Sequence, residues 1–97
     1  MIAGFANKGT EDIFDDRNSR EAARLLPAEL HRIARKKLAM IDAAGSVDDL
    51  KIPPGNKLEK LSGDLAGMHS IRINDRWRVI FLWNEQGPTD VEICDYH

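Results

Sequence analysis

The spacing of hydrophobic positions changes once along this chain, near residue 55. Upstream, Leu26, Leu30, Ile33, Ala34, Leu38, Ile41 and Ala44 recur at helical spacing between about Arg20 and Ala44. Arg24, His31, Arg32, Arg35 and Lys36 occupy the opposite side. Pro27 has no backbone donor, so it marks a helix start or a kink, and the segment can divide near Leu26. Gly45 ends it, as glycine does after a helix C-terminus. Lys37 falls inside the apolar stripe, where its stem is covered and its head reaches water. Earlier, Ile2 to Ala6 reads as a short strand and Lys8 to Asp16 as a short helix with Ile13 and Phe14 inward. Ser19 can cap the helix that follows. Ser46 to Leu50 suits one helical turn, capped by Ser46 with Asp48 and Asp49 in its first turn.

Downstream the period becomes two. Pro53-Pro54-Gly55-Asn56 is a turn. Lys57 to Leu61 is a short strand candidate and Ser62 to Gly67 a loop. In Met68 to Ile73, Ile71 and Ile73 share one face, with Ser70 and Arg72 on the other. Asn74-Asp75 makes a tight turn. Arg76 to Trp83 is the clearest strand, with Trp77, Val79, Phe81 and Trp83 on one face and Arg76 and Arg78 on the opposite one. Asn84 to Thr89 forms a hairpin loop, and Asp90 to Cys94 the last strand. The order β-α-α-β-β-β-β predicts an α+β fold, an antiparallel sheet with two N-terminal helices packed on one face.

Composition narrows the class. Ninety-seven residues make one domain, 1–97. Such a chain hides roughly 60% of its unfolded surface on folding, enough for a core without disulfides. A lone Cys94 in a strand-like run permits no internal disulfide and fits a reducing cytoplasm. Met1 to Lys8 lacks the basic start and apolar stretch of a signal peptide. No apolar run approaches the roughly 20 residues that span a bilayer, so no membrane partner is expected. The net charge of −2 argues weakly against generic nucleic-acid binding. Charge is uneven, however. Residues 17–60 carry ten Lys and Arg against six acids, whereas the segments on either side are net negative. A basic middle can face a phosphate backbone.

Candidate chemistry is sparse. His31, His69 and His97 share no ligand spacing and no Cys-x-x-Cys exists, so neither a metal nor another cofactor is expected. Arg72 and Arg78 project from neighbouring strands on one side, and an arginine fork on a rigid strand suits a phosphoryl group. Each could equally be a surface arginine, paired for instance with Glu92. Lys57, Glu59 and Lys60 lie on the first strand after the turn, where Glu59 can serve as a base and the lysines can hold phosphates. A solvated charged strand is the plainer reading. The basic helix face (Arg32, Arg35, Lys36) is either solvated or turned to a phosphate or a partner. Finally, Asp95-Tyr96-His97 places a carboxylate, a phenol and an imidazole together directly after a strand. Histidine can give or take a proton near neutral pH, although chain ends are often frayed and without a role.

The stretch Pro54-Gly55-Asn56-Lys57-Leu58-Glu59-Lys60-Leu61-Ser62-Gly63-Asp64, followed by His69-Ser70-Ile71-Arg72-Ile73-Asn74-Asp75-Arg76-Trp77-Arg78 and the ending Val91 to His97, resembles the HigB branch of the RelE/ParE toxin superfamily. The Met-Ile-x-x-Phe start and the Asp42 to Leu50 segment extend the resemblance over essentially the whole chain. It implies a RelE-like, microbial-RNase-like fold, and a toxin of a type II toxin–antitoxin system. It also implies ribosome-dependent cleavage of mRNA, in which the RNA's own 2′-OH attacks the adjacent phosphate. Arg78 matches the family arginine that stabilises the phosphate, and Asp95, Tyr96 and His97 match its C-terminal catalytic residues. Many members carry a histidine where Glu59 stands and a lysine where Ser62 stands. Those departures move the acid–base burden toward His97 and Asp95.

The leading expectation is therefore a cytoplasmic, metal-independent endoribonuclease toxin. His97 acts as general acid or base, Arg78 stabilises the phosphate and Tyr96 positions or stacks a base. Asp95 or Glu59 assists proton transfer. Arg72, Lys57, Lys60, Arg32, Arg35 and Lys36 meet RNA. The expected partners are a helix-turn-helix antitoxin of the HigA type, the ribosome and mRNA, with operator DNA reached only through the antitoxin. The alternative is a non-catalytic inhibitor on the same fold, ParE-like and directed at DNA gyrase.

Overall fold

The computed structural model describes residues 1–95. Lys8–Phe14 forms α1, Arg20–Leu25 forms α2 and His31–Ala43 forms α3. The Asn7 side chain accepts the Thr10 amide at the start of α1, and the Ser19 hydroxyl accepts the Ala22 amide at the start of α2. Each cap satisfies a donor that has no intrahelical acceptor. The amphipathic segment from Arg20 to Ala44 is divided rather than continuous. Leu26 is extended, Pro27 follows, and a short 3-10 turn, Ala28–Leu30, precedes α3. Three α-helices therefore stand among the described residues where two were expected, because proline cannot continue the backbone ladder. The apolar stripe survives the break except at Ile33, which is exposed, since Leu26, Ala34, Leu38 and Ile41 are all fully buried.

The sheet comprises β1 (Glu59–Lys60), β2 (His69–Arg72), β3 (Trp77–Asn84) and β4 (Gly87–Asp95). Its order is β1-β2-β3-β4, antiparallel throughout. The expected first strand, Ile2 to Ala6, is reduced to one parallel bridge between Phe5 and Val91. The Ala3 and Ala6 amides donate to the Pro88 and Val91 carbonyls there, at 2.7 and 2.9 Å. The expected loop from Asn84 to Thr89 is instead a tight turn at Glu85-Gln86. Asn84 pairs with Gly87, whose φ of +102° glycine adopts without a Cβ clash, and the Asn84 side chain accepts the Gln86 amide. β4 consequently starts at Gly87 rather than Asp90.

One face of the sheet carries Ile71, Val79, Phe81, Val91 and Ile93 into a core with Ile13, Leu26, Leu38 and Ile41 of the helices. The Thr10 hydroxyl accepts the Ile93 amide at 3.1 Å and ties α1 to β4. α1 also lies close on α2. A Cβ at Gly9 would sit 2.9 Å from the Glu21 carbonyl oxygen, so a larger residue would push these helices apart. Beneath this corner the Asp12 carboxylate is fully buried, bridged by Lys8 at 3.1 Å and approached by Arg17 at 3.7 Å. The Ser19 hydroxyl is the main influence holding that carboxyl below its usual range. Burial opposes the shift, and Lys8 and Arg17 reinforce it. Among the described residues no helix is long and apolar enough to cross a membrane.

Candidate functional site on the outer sheet face

Residues directly opposite in an antiparallel ladder share a face. Arg72 pairs with Arg78, Ser70 with Ile80, Glu59 with Ser70 and Cys94 with Arg78. These side chains therefore lie on the side away from Phe81, Val79 and the helices. Arg78 is at their centre and is only 7% exposed. Its Nε donates to the Ser70 hydroxyl at 2.9 Å, and one terminal nitrogen donates to the Lys57 carbonyl at 2.6 Å. The other terminal nitrogen lies 3.7 Å from the Glu59 carboxylate, whose side chain is 49% exposed. A buried, always charged guanidinium is thus fixed by a hydroxyl and a carbonyl, with a half-open carboxylate at its solvent side.

The Lys57 carbonyl reaches Arg78 because the backbone at Lys57 is left-handed, with φ 45°. That bend follows a 3-10 turn, Pro54–Asn56, whose last residue is fully buried. The Asn56 side chain donates to the Leu50 carbonyl and accepts Lys37 Nζ at 2.6 Å. Lys37 thus ends its run through the apolar stripe on a buried amide, and burial, with Lys36 and Arg72 nearby, lowers its pKa. Helix α3, the bend and the guanidinium form one connected support.

The remaining expected site residues divide by position. Arg72 shares the Arg78 face and is bound to Asp75 in the adjoining turn. The Lys57 side chain is exposed. Lys60 pairs with His69, so it faces the other way. His69 lies against Phe81, and burial, assisted by Lys60, lowers its pKa. On α3, Arg35 donates to the Ile13 carbonyl and pairs with Asp16 at 2.8 Å, which turns it toward α1. Arg32 and Lys36 remain exposed and line a shallow hollow with Glu29 and Ile33. Asp95 pairs in register with Trp77, so it projects to the face opposite Arg78, where Arg76 binds it. Tyr96 and His97 lie outside the described residues.

Two contributors were not singled out from the sequence. Ser70 shares alternation with Arg72, a signal that was legible. The Lys57 carbonyl, as opposed to its side chain, had none. Cys94 faces Arg78, but burial, reinforced by Glu92, pushes its thiol up to about 11, so it carries no thiolate at neutral pH. Among the described residues no cluster of three or more His, Cys, Asp or Glu could hold a metal ion.

A buried strand arginine with an adjacent open carboxylate suits an anionic ester, and comparison with known proteins places it in a lineage. A family model described as the RelE-like toxin of type II toxin–antitoxin system HigB matches residues 3–97. Toxin HigB-1 of Vibrio cholerae is 40% identical over 83 residues, covering 86% of this chain and 84% of that protein. An uncharacterized protein of Haemophilus influenzae is 38% identical over 58 residues, 60% of this chain and 57% of that protein. Among solved structures, YoeB in a YoeB–YefM complex from Staphylococcus aureus superposes with a TM-score of 0.62 at 23% identity, over 100% of this chain and 95% of that one. A YoeB dimer from the same organism gives 0.61 at 23% identity, over 99% of this chain and 94% of that one. The structural likeness concerns the fold, whereas the match over nearly all of the sequence settles descent: the chain belongs to the HigB-like family, the RelE-like toxins of type II toxin–antitoxin systems.

Proposed function

We propose that this toxin is a metal-independent endoribonuclease that cuts mRNA on the ribosome, in the cytoplasm, and so inhibits translation. The observation that carries the reading is the guanidinium of Arg78, buried on the outer sheet face with Glu59 3.7 Å away. In the reaction, the 2′-OH of the substrate attacks the adjacent phosphorus while the bond to the 5′ oxygen of the next nucleotide breaks. Glu59 accepts the 2′-OH proton. Arg78 stabilises the charge that grows on the non-bridging oxygens, an effect strongest where a donor is fixed and shielded from water. His97 protonates the leaving oxygen, and Tyr96 positions or stacks a base. Arg72 and the Lys57 side chain guide the RNA backbone along the same face.

The partner that silences the toxin is a helix-turn-helix antitoxin of the HigA type, which carries the pair to operator DNA. The whole chain acts as a single domain. The test uses purified toxin in a cell-free translation reaction containing ribosomes and a defined mRNA, beside a gyrase supercoiling assay. The reading predicts cut mRNA bearing 5′-hydroxyl ends, with supercoiling untouched. A protein ending at Tyr96 should cut roughly 100-fold more slowly, as expected for loss of a general acid–base group. Blocked supercoiling with intact mRNA would instead select the gyrase-directed alternative.

A further inference from the structure

The Arg76–Asp95 pair is an exposed contact held from several directions, and neither the fold nor the site described above requires it. Two nitrogens of Arg76 converge on one carboxylate oxygen of Asp95, Nε at 2.9 Å and a terminal nitrogen at 2.7 Å. The guanidinium carbon also lies over the Trp77 ring, 5.5 Å from its centroid. The backbone of Arg76 is fixed as well, because its amide and that of Trp77 both donate to the Asn74 side chain, at 2.9 and 2.8 Å. Turn, ring and carboxylate together hold a long flexible side chain in one direction. Surface pairs normally contribute little to stability and cost side-chain entropy to order. So much restraint in an exposed place calls for a local reason.

The ladder supplies that reason. Among the described residues the pairing of β3 with β4 reaches Trp77 and Asp95, and the chain before Trp77 turns at Asn74 and Asp75. Asp95 is thus the last described residue of β4, and the Arg76 side chain reaches it from the turn before β3. Tyr96 and His97 follow Asp95 directly in the chain. Asp95 itself projects away from Arg78, so its carboxylate does not share the face on which the proposed chemistry occurs.

We infer that Arg76 is a positioning residue for cleavage: it clamps Asp95 and thereby fixes the point from which the chain end bearing Tyr96 and His97 departs. In this assignment Asp95 anchors rather than transfers a proton. The inference rests on the ribonuclease reading above. A catalytic group displaced by even about 1 Å loses much of its effect, so the clamp acts on the chemical step more than on RNA affinity.

The test compares wild type, Arg76→Ala, Arg76→Lys, the single changes Arg76→Asp and Asp95→Arg, and the exchanged pair that combines them, all as full-length purified toxin on ribosome-bound mRNA. Arg76→Ala should lower kcat about 10-fold with KM unchanged, while the melting temperature moves by less than about 3 °C. Arg76→Lys should retain most of the rate, and the exchanged pair should recover to within about 3-fold of wild type. Cleavage by Arg76→Ala at the wild-type rate would overturn the inference. An exchanged pair no better than either single change would do so too, because Asp95 would then act chemically. If wild type itself does not cut RNA, the ribonuclease reading alone fails. Amide relaxation then decides the clamp: Arg76→Ala should loosen the Asp95 amide on the nanosecond timescale, and an unchanged amide would refute it.

Discussion

The molecule holds two buried charges in different ways. At the α1–α2 corner, Asp12 is enclosed by Lys8, Arg17 and Ser19, all from the same corner. On the outer sheet face, Arg78 is held by Ser70 and the Lys57 carbonyl, and the Glu59 carboxylate 3.7 Å away is half open to solvent. Burial alone does not distinguish a site from a structural pair, since both groups are covered. What differs is the surroundings. Lys8 and Arg17, themselves exposed, neutralise the Asp12 carboxylate from the rim of the corner beside Gly9, where two helices touch. Around Arg78, Glu59 and Arg72 share the outer sheet face, as a polyanionic substrate requires. A charge turned inward serves folding, whereas a fixed charge at the floor of an open face can serve a reaction.

Three substitutions sharpen that contrast, in descending size of effect. Arg78→Ala should reduce RNA cleavage by about 100- to 1,000-fold, the range seen when a fixed donor to a developing oxyanion is removed. Glu59→Gln keeps the shape but removes the proton acceptor, and should slow cleavage by about 10- to 100-fold. Cleavage by Glu59→Gln at the wild-type rate would leave Glu59 without a role. Asp12→Asn should leave cleavage within about 2-fold at temperatures where the protein is folded, and should lower the melting temperature instead. The folded-state pKa of Asp12 is depressed, so its stabilisation is present above the unfolded value of about 3.9 and is lost as pH falls through the lower folded value. The gap in melting temperature between wild type and Asp12→Asn should therefore close as the medium is acidified below about pH 4. A gap that widens there would reverse the assignment of that corner.

Much of this arrangement was legible in the order of residues, and the exceptions have physical causes. The stripe through Ala34, Leu38 and Ile41 reads directly as the buried face of α3. The alternation around Arg78 reads directly as the central strand of the sheet. Arg72 beside Arg78 follows from the short turn at Asn74-Asp75, which fixes the register between their strands. The side on which Asp95 falls was not legible. It depends on where β4 starts, and Gly87-Pro88 suggested a loop although the chain turns at Glu85-Gln86. It depends also on an irregularity in the ladder between Ile80 and Leu82, and on Asp90, which adopts a positive φ of 51°. Arg35 was similarly opaque, because helical angle places it outward while its partners, the Ile13 carbonyl and Asp16, come from a different helix. The contact of Lys57 with Arg78 is made by a carbonyl, which no side-chain pattern announces.

The most direct measurement is single-turnover cleavage of ribosome-bound mRNA by antitoxin-free wild-type and Arg78→Ala toxins, below the melting temperature of each. The account predicts efficient cutting by wild type and a loss of at least about 100-fold in the variant, with antitoxin binding retained by both. Equal cleavage rates in a folded Arg78→Ala protein would contradict it.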